Sequence, residues 1–289
     1  LLAAILLEQF RPLPLRRLVS EPLAAYARFV EDRLNDGQAR HGTIAWCLAV
    51  LLPCGLVLLV YSLLFWLQPL AALLFNALVL YLCMGYRHHS HSFSRIHAAL
   101  RANEVDQARL LLAQWRGGSY DRTPAREIAC LAIEQAMVSG HRQLFALFPL
   151  FVLFPGPSGV LLYRLSERFA AMWAEGREPG FTEFGRFARH AFAIIDWLPA
   201  RITAVAFSIV GDFEDAIYCW RTQSGLWHDA NEGVLIASGA GALGVRLGNP
   251  VQQSGEVLDR PAMGTGDEAD IDFLYSAVGL ARRTLVFFL

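Results

Sequence analysis

From Ile44 to Leu67 the chain runs for 24 residues without a single charge. Roughly 20 apolar residues in a helix span the hydrocarbon core of a bilayer, so this stretch reads as a transmembrane helix. Gln68-Pro69 breaks it, and Leu70 to Tyr86 supplies a second uncharged run of 17 residues. Together they form a transmembrane helical hairpin over 44–86. Inside hydrocarbon each backbone polar group must be bonded within the spanning segments, which makes helix the only open choice there.

Composition agrees once its distribution is considered. Of the 289 residues 55% are apolar and 18% charged, and mean hydropathy is +0.36. Soluble domains average about 45–50% apolar and about 25% charged. The apolar residues fall in blocks and the arginines fall between them. All 25 basic residues are arginine, which excludes a Schiff-base lysine and a Walker A lysine. A formal net charge of −1 and a pI near 6.8 give no basic footprint for nucleic acid. The five cysteines form no C-x-x-C pair and three lie in apolar runs, so they read as small core residues rather than disulfides or zinc ligands.

The remaining segments extend the pattern. Leu1 to Leu7 lacks a basic start and reads as a partial first membrane helix, not a signal peptide. Glu8 to His41 is an arginine-rich, proline-punctuated loop with helical parts. Residues 87–143 read as amphipathic cytoplasmic helices with eight arginines, because arginine-rich flanks stay inside. One helix lies in Ile96–Trp115, and another follows Thr123 with Glu127 placed to close a capping box. Leu144–Leu162 is uncharged but interrupted by Pro149 and by Pro155 to Gly159, so it either spans as two half-helices or dips in and returns. Phe187–Val210, the small-residue stretch Ile236–Gly248 and a last helix within Phe273–Leu289 complete residues 144–289. The expected fold is all-α: one polytopic integral membrane domain over 1–289, with broken or re-entrant membrane segments.

Four groups of polar residues interrupt this apolar background. Asp196 and Arg201 flank Pro199 in one apolar segment, where either charge costs about 2.5–3.5 kcal/mol at mid-bilayer unless paired or set in a cavity. Direct pairing across five helical positions would need a bend at Pro199; an interfacial turn is the alternative. Asn231 and Gly233 precede the block Gly241, Gly244, Arg246 and Gly248, whose glycines suit tight helix packing or a phosphate cradle closed by Arg246. Spacing alone favours packing. His88, His91 and His97 lack nearby carboxylates or cysteines, and read as interfacial rather than metal-binding. Glu134, among Ala132, Ile133, Ala136 and Met137, is either a buried acid, base or metal ligand, or a solvent-facing helix residue.

Three stretches together resemble the CobD/CbiB family of cobalamin-biosynthesis membrane proteins, which includes the AmpE-like proteins. Ala230 to Asn249 is similar to the family's Pro-Asn-(Ala/Ser)-Gly stretch and its Gly-Ala-Leu-Gly-Val-Arg-Leu-Gly-Gly run. Leu198 to Ala204 resembles its Ile-Pro-Ala-Arg-Leu-Thr-Ala. Ala99-Leu100, Ala108-Arg109 and Ala132-Ile133-Glu134 resemble its cytoplasmic helical region. Where the family enzymes carry Glu-Asn and then Asp-Gly, this chain has Val138-Ser139 and Gly140-His141-Arg142. The resemblance implies a multi-pass protein of the bacterial inner membrane that joins an amino-alcohol, or its phosphate, to adenosylcobyric acid. ATP and Mg²⁺ are the implied cofactors, and a corrinoid is the implied substrate. Glu134 is then the catalytic candidate; Asp196, Arg201, Asn231, Gly233, Gly241, Gly244, Arg246 and Gly248 are candidates for substrate binding. Implied partners are the lipid bilayer and the corrinoid, with a second copy or other cobalamin-pathway proteins as further expectations. An AmpE-like signalling or scaffold protein is the non-catalytic alternative.

Overall fold

The computed structural model describes residues 21–35, 39–84, 86–173, 179–248, 250–253 and 256–289; the expected partial helix at residues 1–7 lies outside them. In chain order the helices are α1 (Glu21–Leu34), α2 (Ala39–Trp46), α3 (Leu52–Leu67), α4 (Pro69–Cys83), α5 (Tyr86–Arg101), α6 (Val105–Arg116), α7 (Ala125–Gly140), α8 (Leu147–Leu153), α9 (Ser158–Met172), α10 (Pro179–Val210), α11 (Phe213–Gln223), α12 (Ala230–Leu243) and α13 (Ile271–Phe288). Short strands β1 (Val245–Arg246), β2 (Val251–Gln253), β3 (Glu256–Leu258) and β4 (Asp267–Glu268) pair as β1 with β4 and β2 with β3. The molecule is an all-α helical membrane protein.

Among the described residues three helices are long and apolar enough to cross a membrane: Arg40–Leu67, Ala125–Leu153 and Phe184–Val210. The chain divides into two compact units, one holding Leu1–Gly85 and Leu147–Pro199, the other Tyr86–Ala146 and Ala200–Leu289.

In the first unit α3 and α4 form a helical hairpin, in which α3 belongs to a helix of membrane-spanning length and α4 is a shorter apolar helix. Gln68 adopts φ −158° and ends α3 by donating its N–H to the Leu64 carbonyl; Pro69 opens α4, where its missing N–H leaves nothing unbonded. Leu59, Leu63 and Trp66 stand 65%, 57% and 89% exposed, an apolar surface of the kind that lipid solvates. The unit's core gathers Phe169, Trp173 and Phe184. Gly42 and Gly185 permit close approaches, since a Cβ would sit 2.2 Å from the Phe184 carbonyl oxygen at the first and 2.0 Å from the Trp173 carbonyl oxygen at the second.

In the second unit α7 is the central helix, buried along much of its length from Ile128 to Gly140. Helices α5, α6, α12 and α13 pack against it, and α11 lies along α12. That last pairing depends on small residues. A Cβ on Gly241 would meet the Asp215 carbonyl oxygen at 2.5 Å and the Ala216 Cα at 2.7 Å. Ser238 donates to the Ala204 carbonyl at 2.9 Å, so the polar side chains of this apolar packing are bonded within it.

Several expectations are corrected. Pro149 does not break its helix. A π-helical turn, His141–Phe145, joins α7 to α8, and the Ala146 N–H reaches back to the His141 carbonyl at 2.9 Å. The hydrogen-bond ladder has already shifted there, so Pro149 falls in the first turn of a renewed α-helix, where proline is tolerated. Pro53 sits the same way, just after the π-helical turn Cys47–Leu51. The true break comes at residues 154–157, where Gly156 has φ +63°. Pro199 likewise lies inside continuous α10 instead of ending it. Pro124 is the N-cap of α7 and no side chain caps that end, so the Thr123–Glu127 capping box does not form. Ile96–Trp115 is two helices, α5 and α6, turned by Asn103 at φ 58°.

Candidate functional site

Three aspartates start helices of the second unit: Asp212 for α11, Asp229 for α12 and Asp270 for α13. Each side-chain oxygen accepts from free N–H groups of the first turn, as capping chemistry predicts. Asp229 is the important one. Its Oδ1 accepts from the N–H groups of Asn231 and Glu232, both at 2.9 Å, and so fixes where these two side chains start.

From that helix end the polar contacts run outward. Arg201 Nη1 donates to Asn231 Oδ1 at 3.0 Å, and Asn231 is 6% exposed. Arg142 Nη2 donates to Glu232 Oε1 at 2.9 Å. Gly233 lets the chain fold back, since a Cβ there would lie 2.3 Å from the Ser224 carbonyl oxygen and 2.9 Å from the Trp227 Cβ. The Trp227 ring in turn carries the Arg260 guanidinium, 5.6 Å from its centroid.

Arg260 leads to Glu134, which is 1% exposed. Arg260 Nη1 donates to Glu134 Oε2 at 2.6 Å, and Arg116 Nη1 approaches the same oxygen at 3.4 Å. The Gly248 N–H donates to Oε1 at 3.0 Å, and the Cys130 thiol lies 3.5 Å from it. Gly248 has φ +77°, and a Cβ on it would strike the Pro261 carbonyl, so glycine is needed for its N–H to face the carboxylate. Beside them is Tyr120, 2% exposed; burial pushes its hydroxyl pKa up, while Arg116 and Arg260 pull it down.

The result is a continuous network at the N-terminal end of α12: four arginines, two glutamates, one asparagine, one tryptophan and one tyrosine, drawn from six separate chain segments. Its charged groups are the guanidiniums of Arg116, Arg142, Arg201 and Arg260 and the carboxylates of Glu134 and Glu232. Arginine's planar fork matches carboxylate and phosphate oxygens, so this chemistry suits an oxyanion.

The candidates from sequence divide accordingly. Glu134, Arg201, Asn231, Gly233 and Gly248 belong to the network. Glu134 is buried, and both its oxygens are engaged by cationic or N–H donors, so it orients arginines and does not face open space. Gly241 packs α12 on α11. Gly244 caps α12 in the left-handed region at φ +63°. Arg246 is exposed on β1. Asp196 lies in the first unit, 2% exposed, and accepts from the Tyr163 hydroxyl at 2.8 Å. Tyr120, Arg116 and Arg260 were not singled out by the sequence; Arg260 joins Glu134 across 126 positions, a distance at which spacing carries no signal.

Magnesium ligation by the protein fits poorly. Among the described residues no group of three or more His, Cys, Asp or Glu side chains converges. Mg²⁺ takes one or two carboxylates together with phosphate oxygens, and here Glu134 and Glu232 already serve arginines. Among the described residues no cluster of protein carboxylates suits Mg²⁺.

The sequence profile of the CobD/Cbib protein family matches residues 2–281. The chain belongs to that family. A protein of Stutzerimonas stutzeri named cobalamin biosynthesis protein CobD is 33% identical, over 99% of this chain and 96% of its own. The protein of the same name from Chromobacterium violaceum is 32% identical over 74% of this chain and 68% of its own. The Mycobacterium tuberculosis counterpart is 30% identical over 63% of this chain and 59% of its own. No solved structure matches the chain.

Proposed function

We propose that this protein works in cobalamin biosynthesis at the bacterial inner membrane, joining an amino-alcohol or its phosphate to adenosylcobyric acid through an amide bond. The observation that carries this reading is family membership across residues 2–281, with relatives named for the cobalamin pathway. The arginine network supports it chemically. Both substrates present oxyanions, a corrin side-chain carboxylate on one and a phosphate on the other, and Arg201, Arg142, Arg116 and Arg260 supply the matching donors. ATP, when bound, would supply the phosphoryl group that activates the carboxylate toward the amine. This chain's residues bind and orient the anionic groups and shield them from water: Asn231 holds Arg201, Glu232 holds Arg142, and Glu134 holds Arg116 and Arg260.

A second reading has its own observation. No carboxylate stands within 138–142; Ser139 there bonds Gln135, and His141 Nδ1 lies 2.9 Å from the Thr203 hydroxyl. Acids that the family enzymes place there are absent, which favours an AmpE-like non-catalytic signalling or scaffold role. Expression in a strain that lacks the synthase, grown on cobyric acid as corrinoid source, separates the two. The enzyme reading expects rescue. An expressed, membrane-inserted chain that fails to rescue growth overturns it in favour of the second reading.

A further inference from the structure

Two buried donors beside the arginines have no hydrogen-bonding acceptor. The Tyr120 hydroxyl and the Trp227 Nε1 are both buried without a well-formed hydrogen bond, although the Arg116 guanidinium lies close to Tyr120. Native interiors seldom leave such groups unsatisfied; those that persist mark a bound water, an ion or a ligand. These two share one neighbourhood, since Tyr120 is within electrostatic reach of Arg116, Arg260 and Glu134, and Arg260 lies over the Trp227 ring. Geometry points the same way: Arg116 and Arg260 both reach Oε2 of Glu134, which brings two guanidiniums to one place beside these donors.

We propose that Tyr120, Trp227, Arg116 and Arg260 form an oxyanion subsite whose ligand is a phosphate or carboxylate group. Glu134 and the Gly248 N–H hold the frame: the carboxylate fixes the two guanidiniums. Arg116 and Arg260 keep 23% and 12% of their side-chain surface open, so a ligand reaches the subsite along their edges. An acceptor oxygen is what both aromatic donors lack, and a bound oxyanion presents several. The subsite deepens the proposed function and rests on it for the identity of the ligand, but not for the binding of an oxyanion.

The test is equilibrium dialysis of the full chain in detergent against radiolabelled inorganic phosphate, with 1-amino-2-propanol phosphate and propionate as competitors. Retention of phosphate is expected, with Tyr120→Phe and Trp227→Phe each weakening it about tenfold, the worth of one hydrogen bond to a charged group. Thermal stability of Tyr120→Phe should stay close to the parent's, since its hydroxyl has only the nearby Arg116 guanidinium beside it and no well-formed bond. Arg116→Gln provides a third variant should an aromatic change disturb folding. Stronger competition by the amino-alcohol phosphate assigns the subsite to that substrate; stronger competition by propionate assigns it to the corrin carboxylate. Failure of the parent to retain either anion, or Phe variants that bind like the parent, overturns the subsite and leaves buried water as what fills it. Retained phosphate in a chain that fails to rescue growth removes the enzyme reading and leaves the subsite standing.

Discussion

Arg260 and Glu134 meet at 2.6 Å in the interior of the second unit, with the second Glu134 oxygen taken by the Gly248 N–H at 3.0 Å. The pair ties the loop before β4 to the middle of α7. Breaking a buried ion pair by removing one partner costs about 3–5 kcal/mol, because the remaining charge is left uncompensated. Glu134→Ala strands two arginines and should lower stability by about that amount. Glu134→Gln keeps an acceptor and should lose less. Thermal unfolding in detergent measures both. A Glu134→Ala protein as stable as the parent would show that the arginines find other partners.

The glycine block supports a sharper prediction, because packing and ligand binding differ residue by residue. Gly241→Ala places a methyl group 2.5 Å from the Asp215 carbonyl oxygen, so α11 and α12 must separate. Overpacking of this kind costs about 1–3 kcal/mol. Gly225→Ala meets nothing within 4 Å and should leave stability unchanged. If the two variants unfold at the same temperature, the tight helix contact is not what Gly241 provides.

The hairpin tests the membrane assignment directly. Leu59 is 65% exposed in an apolar helix that has no protein cover at that point. Arginine near a bilayer midplane costs about 2.5–3.5 kcal/mol on insertion scales. Leu59→Arg should therefore reduce the membrane-inserted fraction severalfold, as read by fractionation of cells expressing the protein. Leu110→Arg is the control, since Leu110 is 64% exposed on α6, outside the three membrane-length helices.

What the sequence made legible followed local rules. The hairpin and its break at Gln68-Pro69 were readable because hydropathy and proline placement act over a few residues. Asn231, Gly233 and Arg201 were marked by pattern, and the structure brings them to one helix end. For Glu134 the sequence allows both a buried and a solvent-facing position, because its helix is apolar on several sides, which hides the direction of the core. Pro149 and Pro199 misled because a proline's effect depends on the ladder around it: a π-helical turn had already shifted the first, and long α10 absorbs the second. Arg116, Tyr120 and Arg260 carried no signal at all. They meet Glu134 only through tertiary packing, and neither motif nor spacing records such a meeting.

Arg201 and Asn231 give a prediction that separates positioning from charge. Asn231 accepts from Arg201 at 3.0 Å and is itself buried, so it fixes the guanidinium without neutralising it. If Arg201 binds a substrate oxyanion, its positive charge is the working property. Arg201→Ala should then cut activity about 10–100-fold, the range expected for losing a hydrogen bond to a charged group worth about 1.5–3 kcal/mol. Asn231→Asp is more telling. It retains the acceptor and the shape but sets a negative charge against Arg201, which should stabilise the fold or leave it unchanged while lowering activity. Growth rescue on cobyric acid and thermal unfolding, measured on the same variants, read the two properties separately. Parent-level rescue by Asn231→Asp would mean that Arg201 only holds α10 to α12, and the anion-binding role would pass to the arginines around Glu134.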